Sequence, residues 1–152
     1  MSEVETAYTK LQFYTLLLLR LVIGSHFLIE GLNKLINPIW TGAPFLLQSN
    51  WIFSDMFIAI AESPTLLQIS DVLNIWGQVL IGVSLIAGIF TRYASLAGAV
   101  MLLLYYVAIP PFVGGSTFVN SNLIEFFGFL VIMQFQTSHI IGLDRLIGKL
   151  KK

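Results

Sequence analysis

The stretch Tyr14–Ile36, YTLLLLRLVIGSHFLIEGLNKLI, decides the fold. Crossing a bilayer core takes about 20 predominantly apolar residues, and this run is long enough. Yet it carries Arg20, His26, Glu30 and Lys34. An ionised side chain at the centre of a spanning helix costs about 2.5–3.5 kcal/mol on the insertion scale. Such groups need partners, and within membranes they are functional candidates by default. Asn37-Pro38 closes the run, because proline cannot donate the next helical hydrogen bond.

The rest of the chain agrees with a membrane setting. Of 152 residues, 57% are hydrophobic and 11% charged, and the mean hydropathy is +0.85. These values place the chain among polytopic membrane proteins and apart from soluble domains. The net charge is zero, with no basic tract for nucleic acid. Cysteine is absent, which excludes a disulfide, a thiol relay and a thiolate metal site; no haem or other metal motif stands out. The start, Met1–Lys10, lacks a basic n-region, so the first span is expected to be retained and not cleaved as a signal peptide.

Four runs have the length and apolarity of spans: residues 14–36, 72–90, 94–109 and 122–141. They predict an all-α membrane protein, a four-transmembrane-helix bundle forming one integral domain over residues 1–152. Thr91-Arg92 ends the second run, Pro110-Pro111 the third, and Gly142-Leu143-Asp144-Arg145 follows the fourth. The connection Asn37–Asp71 is too apolar for a plain linker. Ser49 or Asn50 is expected to cap a short interfacial helix over about 49–61, ended by Ser63-Pro64, with Trp40 and Trp51 at headgroup level.

Positive charge sets the expected orientation. Lys10, Arg92, Arg145, Lys149, Lys151 and Lys152 fall on one side, while the long connection has Asp55, Glu62 and Asp71. Lys34 alone opposes the pattern. Both termini are therefore expected in the cytoplasm, in a bacterial or archaeal cytoplasmic (inner) membrane. In that orientation His26, Glu30 and Lys34, spaced i, i+4, i+8, occupy the outer half of span one. Asn74 and Gln78 share an outer level on span two, Tyr105 and Tyr106 on span three, and Asn122 and Glu125 on span four. Polar groups of four helices thus converge at one depth.

Each residue has a plainer reading as well. Asn74, Gln78, Tyr105 and Asn122 also serve as interhelical hydrogen-bond glue worth about 1 kcal/mol or less. His26 also sits neutral in a core, and Lys34 also snorkels to headgroups. Glu30 and Glu125 are harder to set aside, since a carboxyl at that depth must be paired or protonated. Arg20 lies in the inner half, and its expected role is a structural clamp onto a carbonyl or Gln134. Arg92 is expected to anchor the inner interface. Gly24 and Gly31 on one helical face, with Gly77, Gly82 and Gly88 in span two and Ala94, Ala97 and Gly98 in span three, read as close-packing positions. Asp144-Arg145 reads as the start of an amphipathic tail.

These pieces resemble the DoxX/DoxD family of small four-helix membrane proteins. The resemblance rests on Arg20 with Gly24-Ser25-His26-Phe27-Leu28 and Gly31-Leu32-Asn33-Lys34-Leu35. It extends through Asn74-Ile75-Trp76-Gly77-Gln78, Gly82 to Arg92, Asn122-Leu123-Ile124-Glu125 and Gly142-Leu143-Asp144-Arg145. DoxD-type members are the membrane subunit of thiosulfate:quinone oxidoreductase. The resemblance therefore implies a quinone-linked subunit passing electrons from a small donor or partner protein to membrane quinone. In that role His26, Glu30 or Glu125 would donate protons, with Trp76, Tyr105 and Tyr106 against the ring and Lys34 toward an anionic donor. Gln78 stands where the family pattern has a glutamate, so proton handling there would be weaker. Partners implied are lipid, quinone, and a partner protein or a second copy. The alternative is a non-catalytic scaffold or assembly subunit of a redox or envelope complex. A small-solute or proton carrier is a third reading, disfavoured because no repeat is evident.

Overall fold

The computed structural model describes residues 8–109 and 118–145. The Pro110-Pro111 stop, most of the loop after it, the first seven residues and the lysines beyond Arg145 lie outside the described residues. Within them the chain is helical: α1 (Lys10–Ile36), α2 (Ala43–Leu46), α3 (Ser54–Glu62), α4 (Pro64–Ala87), α5 (Thr91–Ala108) and α6 (Ser121–Gln134), then a 3₁₀ turn, Thr137–His139. Helices α1, α4 and α5 are long and apolar enough to cross a membrane.

Helix α1 starts before Tyr14 because Thr9 and Gln12 close a capping box. The Thr9 hydroxyl accepts from the Gln12 N–H at 3.3 Å, and the Gln12 amide oxygen accepts from the Thr9 N–H at 2.9 Å. The helix stops at Asn37, where the sequence places Pro38. Helix α4 starts at Pro64, not Val72. Ser63 ends α3 and flanks α4, and proline at the first helical position needs no N–H partner. Much of the long connection is therefore helix. The expected cap of the interfacial helix is corrected: α3 begins at Ser54 after Phe53 with no side-chain cap, while Ser49 is buried just beyond α2.

Helices α1 and α4 run antiparallel along a seam of small residues. An added Cβ on Gly82 would stand 2.5 Å from the Leu28 nitrogen and 2.7 Å from the Gly24 oxygen. Those neighbours are backbone, so only glycine permits this approach. Gly24 meets Leu85 and Gly31 meets Gln78 and Val79 along the same seam. On the far side, Gly98 of α5 receives the Phe129 ring of α6, and Gly128 receives Ile23. The core of the bundle is Ile23, Phe27, Ile81, Leu85, Ala99, Leu102, Phe129 and Ile132. Helices α4 and α5 touch more sparsely than either of those pairs. Leu18, Val22, Leu80, Leu96 and Ile124 are exposed, as expected for side chains that face lipid.

The fourth apolar run differs from expectation. Helix α6 ends at Gln134 and is about 21 Å long at 1.5 Å per residue, short of a core about 30 Å thick. The cause is a polar knot at this end of the bundle. Arg20, 2% exposed, donates from Nη1 to Thr137 Oγ1 (3.2 Å) and from Nη2 to the Ile141 carbonyl (3.0 Å). A carbonyl held by Arg20 supports a broken helix there. Arg20 thus holds a hydroxyl and a carbonyl, while Gln134 is exposed.

Asp144 caps α5, while the tail expected to begin at Asp144-Arg145 lies, beyond Arg145, outside the described residues. Its carboxylate accepts from the Phe90 N–H (2.8 Å), the Thr91 N–H (3.4 Å) and the Thr91 hydroxyl (3.2 Å), and Thr91 Oγ1 lies 2.7 Å from Ser138 Oγ. Burial pushes the Asp144 carboxyl up, but hydrogen bonds from Phe90, Ser138 and Thr91 together outweigh it and hold the carboxyl below its ordinary range. These bonds support two left-handed residues in the α4–α5 turn, Gly88 (φ 68°) and Phe90 (φ 50°). Glycine takes this conformation without cost, whereas Phe90 carries strain that the cap helps to offset. Arg92 is exposed in the first turn of α5.

Candidate functional site: a lateral cleft beneath two short helices

At the end of the bundle away from the Arg20 knot, α2 and α3 pack over the ends of α4 and α5. Leu46, Phe57 and Ala108 form a second core there, flanked by Phe45, Ile60 and Leu67. Phe45 meets the Tyr105 ring edge-on at 5.6 Å between centroids, and Trp51 meets Tyr106 at 6.5 Å. These two short helices form a lid over that end; the sequence expected one helix over about 49–61, and α3 covers Ser54–Glu62.

Beneath the lid, the sparse α4–α5 contact leaves a cleft of about 600 Å³. Phe57, Ile60, Ile69, Leu73, Val100 and Leu104 give it apolar walls. Ile69, Leu73, Val100 and Leu104 are also exposed, so the cleft opens sideways onto the lipid-facing surface. Its polar residues are few: Ser70, Asp71, Asn74 and Tyr105. Asp71 Oδ1 accepts from the Gly42 N–H at 2.8 Å, fastening the lid to α4.

Lys34 of α1 reaches this group. Its Nζ donates to Asn74 Oδ1 at 2.8 Å, and Asn74 Nδ2 donates to the Tyr105 hydroxyl at 2.5 Å. The ammonium also lies over the Trp40 ring, 4.9 Å from its centroid, a cation–π contact supplied by the connection to the lid. The chemistry of this chain of bonds has one direction. An ammonium only donates, so the Asn74 oxygen must face Lys34 and its NH₂ must face Tyr105. The Tyr105 oxygen therefore accepts from Asn74 and keeps its own O–H for an acceptor elsewhere. Glu30 acts electrostatically on both Lys34 and Tyr105.

The remaining expected site residues divide. His26 Nδ1 pairs with Glu125 Oε1 at 2.5 Å, but on the α1–α6 side of the bundle, with the histidine side chain 49% exposed and the carboxylate 23%. Gln78 is buried against Gly31, and its Oε1 has no partner among the described residues. Tyr106 is buried and donates to the Phe118 carbonyl at 3.1 Å, away from the cleft. Asn122 sits half-buried in the first turn of α6. Trp76 is exposed and does not line the cleft. A single polar chamber holding all of these residues is therefore not what the fold forms. Lys34, Asn74 and Tyr105 are brought together at the cleft, and His26 and Glu125 form a separate pair.

Sequence reading missed Asp71, Gly42 and Phe45 as cleft residues. The available signal was Asp71 itself, three residues before Asn74 and so on the same face of one helix. Among the described residues no cluster of three or more His, Asp or Glu has the arrangement of a metal site.

A family model for DoxX matches residues 15–111, which include Lys34, Asp71, Asn74 and Tyr105 but not Glu125 or Asp144. No curated protein and no solved structure matches the chain. The match runs from the first spanning helix through the third and takes in both walls of the cleft, and on that ground this membrane protein belongs to the DoxX family.

Proposed function

We propose that the chain is a quinone-linked membrane oxidoreductase subunit that passes electrons to membrane quinone at the α4–α5 cleft. The donor is a small molecule, with reduced sulfur compounds one class, or the redox centre of a partner protein. The observation that carries this reading is an apolar, laterally open cleft ending on a hydroxyl whose proton is left free by the Lys34–Asn74 relay. Its volume lies within the range of about 300–1,000 Å³ typical of small-molecule sites. A quinone matches its chemistry: a flat apolar ring, a carbonyl to accept from Tyr105, and an apolar tail that leaves through the side opening into lipid. The protein's share of the reaction is binding, orientation and a hydrogen-bond donor at the ring oxygen. With no cysteine the chain holds no thiolate-bound iron–sulfur centre of its own, so electrons come from outside it.

The proposed setting is a bacterial or archaeal cytoplasmic membrane with both termini inside, which puts the lid and cleft in the outer leaflet. In that setting α6 and the chain through Ile141 complete a fourth crossing, with the 3₁₀ turn making up the length that α6 lacks.

The test is a titration of the protein in nanodiscs with a short-tailed quinone, followed by calorimetry. One neutral hydrogen bond is worth about 0.5–1.5 kcal/mol, so Tyr105→Phe should weaken binding by about 2- to 12-fold. Asn74→Leu should weaken it at least as much, because the hydroxyl loses its fixed orientation. Absence of binding, or binding indifferent to both changes, would remove the proposal. The cysteine-free sequence also suits the alternative, a non-catalytic scaffold or assembly subunit of a redox or envelope complex. That reading predicts stoichiometric copurification with an enzyme and no quinone binding by the chain alone.

A further inference from the structure

The cleft has a second polar end. Asp71 lines it three residues before Asn74 on α4, about 4.5 Å along the helix axis and one turn nearer the lid. Its Oδ1 is fixed by the Gly42 N–H at 2.8 Å. Its second carboxylate oxygen has no partner among the described residues. A carboxylate is acceptor-only, whereas the hydroxyl of Tyr105 has a proton to give. The two ends of the cleft therefore ask for opposite things, and Asp71 stands one turn of α4 from Asn74, the residue that holds the Tyr105 hydroxyl.

We infer that the cleft grips a ring at both oxygens, Tyr105 donating to one and Asp71 accepting from the other, and so prefers the hydroquinone over the quinone. This inference rests on the reading of the cleft as a ring-binding site and adds which redox form it selects. At Tyr105 either form serves, since a carbonyl and a phenolic oxygen both accept. At Asp71 they differ. A hydroquinone O–H donates to the carboxylate, whereas a quinone carbonyl would face its second oxygen acceptor to acceptor, with no proton between them. The preference has a redox consequence. Each tenfold excess in affinity for the reduced form raises the potential of the bound two-electron couple by about 30 mV, which draws electrons toward the ring. Asp71 thus has two tasks, holding the lid through Gly42 and selecting the occupant.

The test compares dissociation constants of duroquinone and durohydroquinone for the full chain in nanodiscs under anaerobic conditions. The native chain should bind the hydroquinone about tenfold more tightly. Asp71→Asn keeps an acceptor for the Gly42 N–H and adds an amide that can donate to a carbonyl, so the ratio should fall to near one. Tyr105→Phe should weaken both forms alike. Equal binding of the two forms to the native chain, or a ratio that survives Asp71→Asn, overturns the two-ended grip while leaving the ring site standing. Failure of both forms to bind overturns the site itself, and the grip with it.

Discussion

Replacing Arg20 by methionine keeps the volume and apolar stem of a buried side chain and removes only its charged fork. In the native structure that fork makes two charge-assisted bonds, to Thr137 Oγ1 and to the Ile141 carbonyl. Bonds to charged groups contribute about 1.5–3 kcal/mol each, giving a gross loss of about 3–6 kcal/mol. Part is returned, because the guanidinium no longer has to be desolvated and its Nε is unpaired among the described residues. A net loss of about 2–4 kcal/mol remains, which should lower the unfolding midpoint by about 4–16 °C for a chain of this size. The damage should also be local. Ser138 is fully buried beside Thr91, and the native sequence has no cysteine, so a Ser138→Cys reporter can be labelled selectively. In that background maleimide labelling in detergent should be slow with Arg20 present and fast in the Arg20→Met variant, while labelling of a cysteine placed at the lid stays unchanged. Arg20→Lys should fall between, since one ammonium cannot span both acceptors with the same fork. Unchanged melting and slow labelling in Arg20→Met would refute the clamp and leave Arg20 as a headgroup anchor.

Gly82→Leu should separate α1 from α4, because even a Cβ there would stand within 2.7 Å of backbone atoms on the facing helix. Overpacking of this kind costs about 1–3 kcal/mol or more, read as a lowered melting midpoint, whereas Val83→Leu on the exposed face of α4 should be neutral. The Asp144 cap predicts a pH dependence. A carboxyl held below its ordinary value contributes stability that is full above the unfolded value of about 3.9 and is lost as pH falls through the lower native value. Melting midpoints from pH 6 to pH 3 should therefore fall more steeply for the native chain than for Asp144→Asn; parallel curves would contradict the cap.

The first span, its stop at Asn37-Pro38, the lid and the glycine seam were all legible in the sequence, because each follows from local chemistry: hydropathy, proline, tryptophan at an interface, small residues on one face. The convergence of His26, Glu30 and Lys34 was legible only in depth. Each i, i+4 step turns about 400°, so the stripe drifts by about 40° per step and by about 80° over two. That drift turns His26 toward α6 and Lys34 toward α4, and the shared level became two separate sites. The early start of α4 was hidden because Gln68, Ser70 and Asp71 interrupt the hydropathy, although one Asp71 oxygen accepts from the Gly42 N–H. The break after Gln134 and the folding back of Asp144 depend on partners more than fifty residues away, Arg20 and the α4–α5 turn. No window of local sequence carries that information.

Photolabelling with an azido-quinone in native membranes, with the adducts mapped by mass spectrometry, tests the central claim most directly. Adducts on the cleft faces of α4 and α5, between Ile69 and Asn74 and between Val100 and Tyr105, and competed away by unlabelled quinone, are the predicted result. Competed adducts centred on His26 and Glu125, or none that quinone displaces, would contradict it.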